Sequence, residues 1–112
     1  MEFSADSFVS KYRDDQFYSS LLVSFNRDLE NVLTSLHHQM EENKVQDAIE
    51  LCHKMAGASA TYGYPVLGKL FERLEKDLEK SGTVDGHISL HLKTLDDVCN
   101  KITEANKELV VD

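Results

Sequence analysis

His53-Lys54-Met55-Ala56-Gly57-Ala58-Ser59-Ala60-Thr61-Tyr62-Gly63 is a helical run with an unusual shortage of side-chain bulk. Val45, Ala48 and Cys52 lead into it at three- and four-residue steps. Met55, Ala56 and Ser59 carry the stripe on until Tyr62-Gly63-Tyr64-Pro65 breaks it. Gly57 stands in the helix interior, where glycine costs about 1 kcal/mol relative to alanine, so its missing side chain has a use. Two uses are open: close approach by another molecule, or tight packing against a neighbouring helix. With about 100° per residue and Cys52 at the centre of the buried stripe, His53 falls at the stripe's edge. It lies beside Gly57 and Ala60 on one side and Gln46 and Ile49 on the other, so its ring is expected half sunk and half bare.

Outward from this run, the apolar residues keep helical spacing. Phe17, Leu21, Phe25, Leu29, Val32, Leu36 and Met40 predict one long amphipathic helix from about Asp14 to Glu42, before Glu42-Asn43-Lys44 interrupts the stripe. Pro65 suits the first turn of the next helix, where its absent N–H would have had no partner. Val66, Leu67, Leu70, Phe71, Leu74 and Leu78 form that helix's buried face. Ser81 to Gly86 reads as a loop. A last helix, from Asp85 or His87 to Leu109, repeats Ile88, His91, Leu95, Val98, Ile102, Ala105 and Leu109, with Leu92 and Cys99 widening the stripe. A short helix from Ser4, its cap, to about Tyr12 would lay Phe8 on the end of the body. The expected fold is all-α, an antiparallel up-down four-helix bundle with a short extra N-terminal helix. The 112 residues suffice for one core and not for two, so 1–112 is read as a single domain with its core bundle at about 14–110.

Composition removes several function classes. Twelve basic against 20 acidic residues give a formal charge of −8, which repels nucleic-acid backbones and anionic membrane surfaces. No apolar run is long enough to cross a bilayer, and the opening MEFSADSF lacks the pattern of a secretory leader, so a cytoplasmic location is expected. The initial Met1 is what an independent chain would carry. Cys52 and Cys99 both fall on apolar stripes and read as reduced core thiols. There is no P-loop, no glycine-rich nucleotide loop and no tight acidic triplet for magnesium around His53.

A boundary histidine beside small residues suits phosphoryl acceptance. One ring nitrogen is open as a nucleophile, the other holds its proton in a fixed direction, and no bulk blocks an incoming active site. The order of helices and the run from Cys52 to Gly63 resemble the histidine phosphotransfer (HPt) domain family. Its pattern is a helix-borne histidine, a lysine three residues on, a glycine next, small residues, and a second glycine closing the helix. His53, Gly57, Ser59 and Gly63 fall at the family's positions. Phe25-Asn26-Arg27-Asp28-Leu29 and the segment from Leu67 to Leu74-Glu75 look like the family's second and fourth helices. The resemblance covers roughly residues 14 to 80, and the last helix by architecture only.

The resemblance implies a phosphocarrier of a multistep two-component phosphorelay and not an enzyme. His53 would be the phosphoacceptor and donor, with Nε2 the phosphorylated atom. Its partners would be a response-regulator receiver domain, which holds the acceptor aspartate, and a sensor (hybrid) histidine kinase. No cofactor of its own is implied, and Mg²⁺ would come with the receiver. One position departs: the usual lysine is Ala56, and the nearest cation is Lys54, whose Cβ points about 100° away around the helix. Either Lys54 reaches the phosphoryl oxygens on its long stem or it is simply solvated. Gly57 and Gln46 complete the expected support, Gln46 as a hydrogen-bonding neighbour or an ordinary surface residue. Ile49, Ala60 and Tyr64 would form the docking surface, or else lie under the first helix. A monomer is expected, because four helices can close their own core.

Two rivals stand beside this reading. A docking-only adaptor would bind a receiver or kinase without being phosphorylated, and Ala56 lends it weight. A metal-binding bundle would use His87 and His91, four apart on a helix, with His37-His38 offering two more imidazoles. A zinc site needs three or four converging ligands. His91 falls on a buried stripe and His38 is expected to face solvent, so no metal site is expected.

Overall fold

Each predicted break is closed by a specific turn. The computed structural model describes residues 3 and 5–106. Helix α1 is Ser19–Glu41, α2 Val45–Thr61, α3 Pro65–Ser81 and α4 Gly86–Ala105, preceded by two 3₁₀ turns at Ala5–Phe8 and Gln16–Tyr18. After α1, Asn43 takes the left-handed conformation at φ 55°, and the Lys44 N–H reaches back to the Gln39 carbonyl. The same device closes α2. Gly63 has φ 86°, the Tyr64 N–H donates to the Ser59 carbonyl at 2.8 Å, and the Gly63 N–H donates to the Ala60 carbonyl. Pro65 opens α3, Gly82 ends it, and the Asp85 carboxylate caps α4 by accepting from the Ile88 N–H at 3.0 Å. That hydrogen bond, first among its neighbours, holds the Asp85 carboxyl below the usual range.

Four helices joined by three short links make the antiparallel up-down bundle. Leu22, Leu29 and Leu36 of α1 meet Ala48 and Cys52 of α2, Leu67, Phe71 and Leu78 of α3, and Ile88, Leu95 and Ile102 of α4 in one continuous core. Burying each such leucine, isoleucine or phenylalanine side chain is worth about 1.5–3 kcal/mol. Cys52 and Cys99 are free thiols within this core, and burial pushes both up to about 12, so they stay protonated and unreactive at neutral pH. Helices α2 and α3 approach very closely at Gly68, where a Cβ would stand 3.1 Å from the Ala56 carbonyl oxygen.

The two ends of the bundle differ from expectation. The first helix begins at Ser19 instead of 14, because Asp15 caps a 3₁₀ turn by accepting from the Phe17 N–H, and Tyr12 stacks on Tyr18 at 4.3 Å. Phe17, placed on the apolar stripe by its spacing, is 77 % exposed, and the buried face of α1 instead includes Leu22 and Asn26. The N-terminal helix reduces to the turn Ala5–Phe8, and Phe8 does pack against the core. Ser4 and Leu109 lie outside the described residues, and α4 ends at Ala105. The segment after Phe8 then straps the α2–α3 corner: the Lys11 N–H donates to the Gly63 carbonyl at 3.0 Å and the Ser10 hydroxyl to that of Tyr62. A Cβ on Gly63 would collide with this strap, which is a second reason for glycine there.

Candidate functional site

His53 stands midway along α2, one residue past the buried Cys52. Its side chain is 78 % exposed, more than the half-sunk ring expected, because α2 turns Ala48, Cys52, Met55 and Ser59 inward and the imidazole leans over the surface of α3. There its Nδ1 lies 2.9 Å from Glu75 Oε2. An ionised carboxylate only accepts, so Nδ1 carries the proton and Nε2 keeps its lone pair. The Glu75 side chain is only 15 % exposed, held against the body where its charge adds to the upward shift of the Cys52 thiol. The pair therefore fixes both the tautomer and the ring orientation.

An open depression beside the ring is lined by His53, Ala56 and Gly57 of α2 and by Glu72, Glu75, Lys76 and Glu79 of α3. Lys76 Nζ donates to Glu72 at 2.8 Å one helical turn away; this bond raises the lysine and lowers the glutamate from their ordinary values. Gly57 resolves the choice left open by the sequence. A Cβ there would meet nothing within 4 Å, so the chain's own packing does not require glycine at this position. Gly68 performs the tight-packing role instead.

The remaining expected site residues divide. Ala60 is exposed two turns beyond His53, and Ile49, one turn before it, packs against the core with part of its surface bare. Lys54 is exposed and does not line the depression. Gln46 is exposed, and the hydrogen-bond partner of His53 among the described residues is Glu75. Tyr64 does not belong to a docking surface. It is fully buried, stacked on Phe25 at 5.4 Å, and its hydroxyl accepts from Asn26 Nδ2 at 3.0 Å; burial pushes its ionisation upward. The left-handed Gly63 is the cause, since the residue after such a turn commonly packs back on the helix it closes. Ser59, at a family position, is buried beneath α3 near Gly68 and away from the ring.

Sequence reasoning missed Glu75 and Lys76 as site residues, because only the rotation of α3 against α2 brings them to His53. Glu75 is 22 positions away and carries no local signal. Of the other histidines, His38 is 63 % exposed beside Glu42, as expected, and His37 Nε2 lies 2.9 and 2.7 Å from the two Asp96 oxygens. No described helix is long and apolar enough to cross a membrane.

Comparison with known proteins bears on the whole bundle. Neither a curated protein nor a solved structure matches the chain. The Hpt domain family model matches residues 20–105, from the second residue of α1 to the end of α4, with His53 and Glu75 both inside the match. The chain belongs to the Hpt domain family.

Proposed function

We propose that this phosphotransfer module is a phosphocarrier that takes a phosphoryl group on His53 Nε2 and exchanges it with the aspartate of a response-regulator receiver, upstream or downstream of a hybrid histidine kinase. One observation carries the reading: an exposed imidazole with Nδ1 tied to Glu75, beside a glycine whose missing side chain serves nothing inside the chain. In the forward step the Nε2 lone pair attacks phosphorus, the N–P bond forms, and the P–O bond to the aspartyl group breaks to leave its carboxylate. The ring gains positive charge as this happens, and Glu75 stabilises it through the Nδ1–H hydrogen bond. The reverse step returns the phosphoryl group and restores the neutral ring.

The depression presents three carboxylates and one ammonium, a field that opposes an incoming phosphoryl group. Neutralisation therefore falls to the partner, whose Mg²⁺ and lysine accompany the acceptor aspartate. Lys76, rather than Lys54, is the cation placed to replace the lysine missing at Ala56, by exchanging Glu72 for a phosphoryl oxygen. Lys76→Ala then slows transfer roughly 10- to 100-fold, the kinetic equivalent of one charge-assisted contact of about 1.5–3 kcal/mol, while Lys54→Ala leaves it unchanged. Single-turnover transfer assays on both variants decide between the lysines.

Gly57→Ala separates contact with a partner from packing. It stabilises the helix by up to about 1 kcal/mol, because the new methyl meets nothing within the chain. The same methyl obstructs the approaching receiver and slows transfer by about 10- to 100-fold. Thermal melts and transfer rates that rise and fall together would remove the role assigned to this glycine.

The reading as a whole is tested by incubating the chain with phosphorylated receivers and following label. Acid-labile, base-stable label on the chain supports a phosphohistidine carrier. Receiver binding without label supports the docking-only adaptor.

A further inference from the structure

Away from the phosphotransfer face, the hairpin of α3 and α4 brings three metal-ligating side chains to one point. His87 and His91 are four residues apart in the first turns of α4 and so share a face, with ring centroids 4.4 Å apart. Asp77 reaches them from α3. Its Oδ2 lies 2.6 Å from His91 Nδ1 and 3.7 Å from His87 Nε2, and one ligand atom from each of the three residues lies within 4.8 Å of the others. That oxygen is shut off from solvent, with His91 Nδ1 as its immediate neighbour and His87 Nε2 beyond it. A metal ion that displaces the proton between this oxygen and His91 Nδ1 meets one carboxylate and two imidazole nitrogens as donors, since metal binding releases ligand protons. A cation placed between the three groups satisfies all of them.

We propose that Asp77, His87 and His91 bind a divalent transition metal, Zn²⁺ foremost, as a clasp between the end of α3 and the start of α4. Two imidazoles and one carboxylate form a borderline donor set that suits Zn²⁺ and disfavours Mg²⁺ and Ca²⁺, which take oxygen ligands. Zn–N and Zn–O bonds of about 2.0–2.2 Å in a tetrahedron set ligand atoms about 3.4 Å apart. The observed 2.6 and 3.7 Å straddle that spacing, so small side-chain rotations complete the site. His87, 66 % exposed, has room to make them, whereas Asp77 and His91 are 25 % and 23 % exposed and define the floor. The fourth position opens toward solvent on the His87 side and takes a water. Sequence reasoning set this possibility aside because His91 falls on a buried stripe and His38 faces solvent; Asp77, across the interhelical loop, was not considered and brings a third ligand atom to the pair.

The site is independent of the phosphorelay reading. Asp77 follows Glu75 by two positions, which is about 200° around α3, so the two sites occupy opposite flanks of that helix. The other imidazole–carboxylate pairs, at His37, His38 and His53, offer one histidine each and serve as internal controls.

Titration of the full chain with ZnCl₂ by calorimetry, and with CoCl₂ by visible absorption, tests the proposal. One equivalent of Zn²⁺ binds in the micromolar range or tighter, Co²⁺ gives the strong visible bands of tetrahedral coordination, and MgCl₂ gives no heat. His87→Ala, a change at an exposed position that leaves the fold intact, weakens Zn²⁺ by at least about tenfold and abolishes the Co²⁺ bands. His37→Ala/His38→Ala and His53→Gln change neither. Absence of stoichiometric Zn²⁺ binding, or binding that survives His87→Ala, overturns the proposal.

Discussion

On the proposed function, His53→Gln is expected to abolish phosphoryl uptake and to leave the fold where it was. The substituted side chain is 78 % exposed and touches the rest of the chain through one hydrogen bond to Glu75. A glutamine amide can donate an N–H to the same carboxylate, and surface substitutions of this kind shift stability by no more than about 0.5 kcal/mol. Chemistry, by contrast, has no substitute. The amide nitrogen's lone pair is delocalised into its carbonyl and does not attack phosphorus, so the loss is complete instead of graded. Label from a phosphorylated receiver, read beside a thermal melt, makes the comparison. A variant that still accepts label places the acceptor elsewhere, and an unlabelled wild type that binds the receiver makes the protein an adaptor.

Tyr64→Ala acts on the other side of the ledger, destroying stability and not chemistry. The ring is fully buried, stacks on Phe25 and closes the α2–α3 corner from within. Removing a buried aromatic side chain costs about 3–5 kcal/mol. For a domain of this size that lowers the melting temperature by about 10 °C or more. Tyr64→Phe keeps the ring and costs only about 1 kcal/mol, since Asn26 Nδ2 retains its bond to the Leu22 carbonyl at 2.9 Å. Differential scanning calorimetry on the pair checks the order. A stable Tyr64→Ala protein with weakened receiver binding would return this residue to the docking surface from which its burial removes it.

One-dimensional pattern reaches some elements of the bundle fully and stops short of others. Helix α3 was legible from end to end: Pro65 opens it, the leucine stripe faces the core, and its closure falls at Ser81-Gly82. The start of α4 was legible to within two residues, Asp85 or His87, and the Asp85 carboxylate fixes it by accepting from the Ile88 N–H. The start of α1 was not, because Phe17 and Leu21 continue the apolar spacing while a side-chain cap at Asp15 and a tyrosine stack hold residues 16–18 in a 3₁₀ turn. Periodicity registers which residues could share a face; it does not register where the backbone stops being an α-helix. Tyr64 illustrates the same limit, since its hydrophobicity suits an exposed docking edge as well as a core, and the left-handed Gly63 decides between them.

By its family resemblance the sequence marked His53 beside Gly57 as the expected phosphoacceptor, and by itself it determined an all-α bundle, its four helices and their links. Those follow from local rules: 3.6-residue periodicity, capping residues, and the cost of glycine in a helix. Only the tertiary structure decided the partners. Glu75 meets His53, Lys76 enters its depression, and Asp77 closes on His87 and His91, all through the rotation of α3 against its two neighbours. Consecutive residues on a helix point about 100° apart, so Glu75, Lys76 and Asp77 share a stretch of sequence yet serve different surfaces. Which surface each one serves depends on how the helices pack across the whole core, through many small contacts that no local pattern encodes.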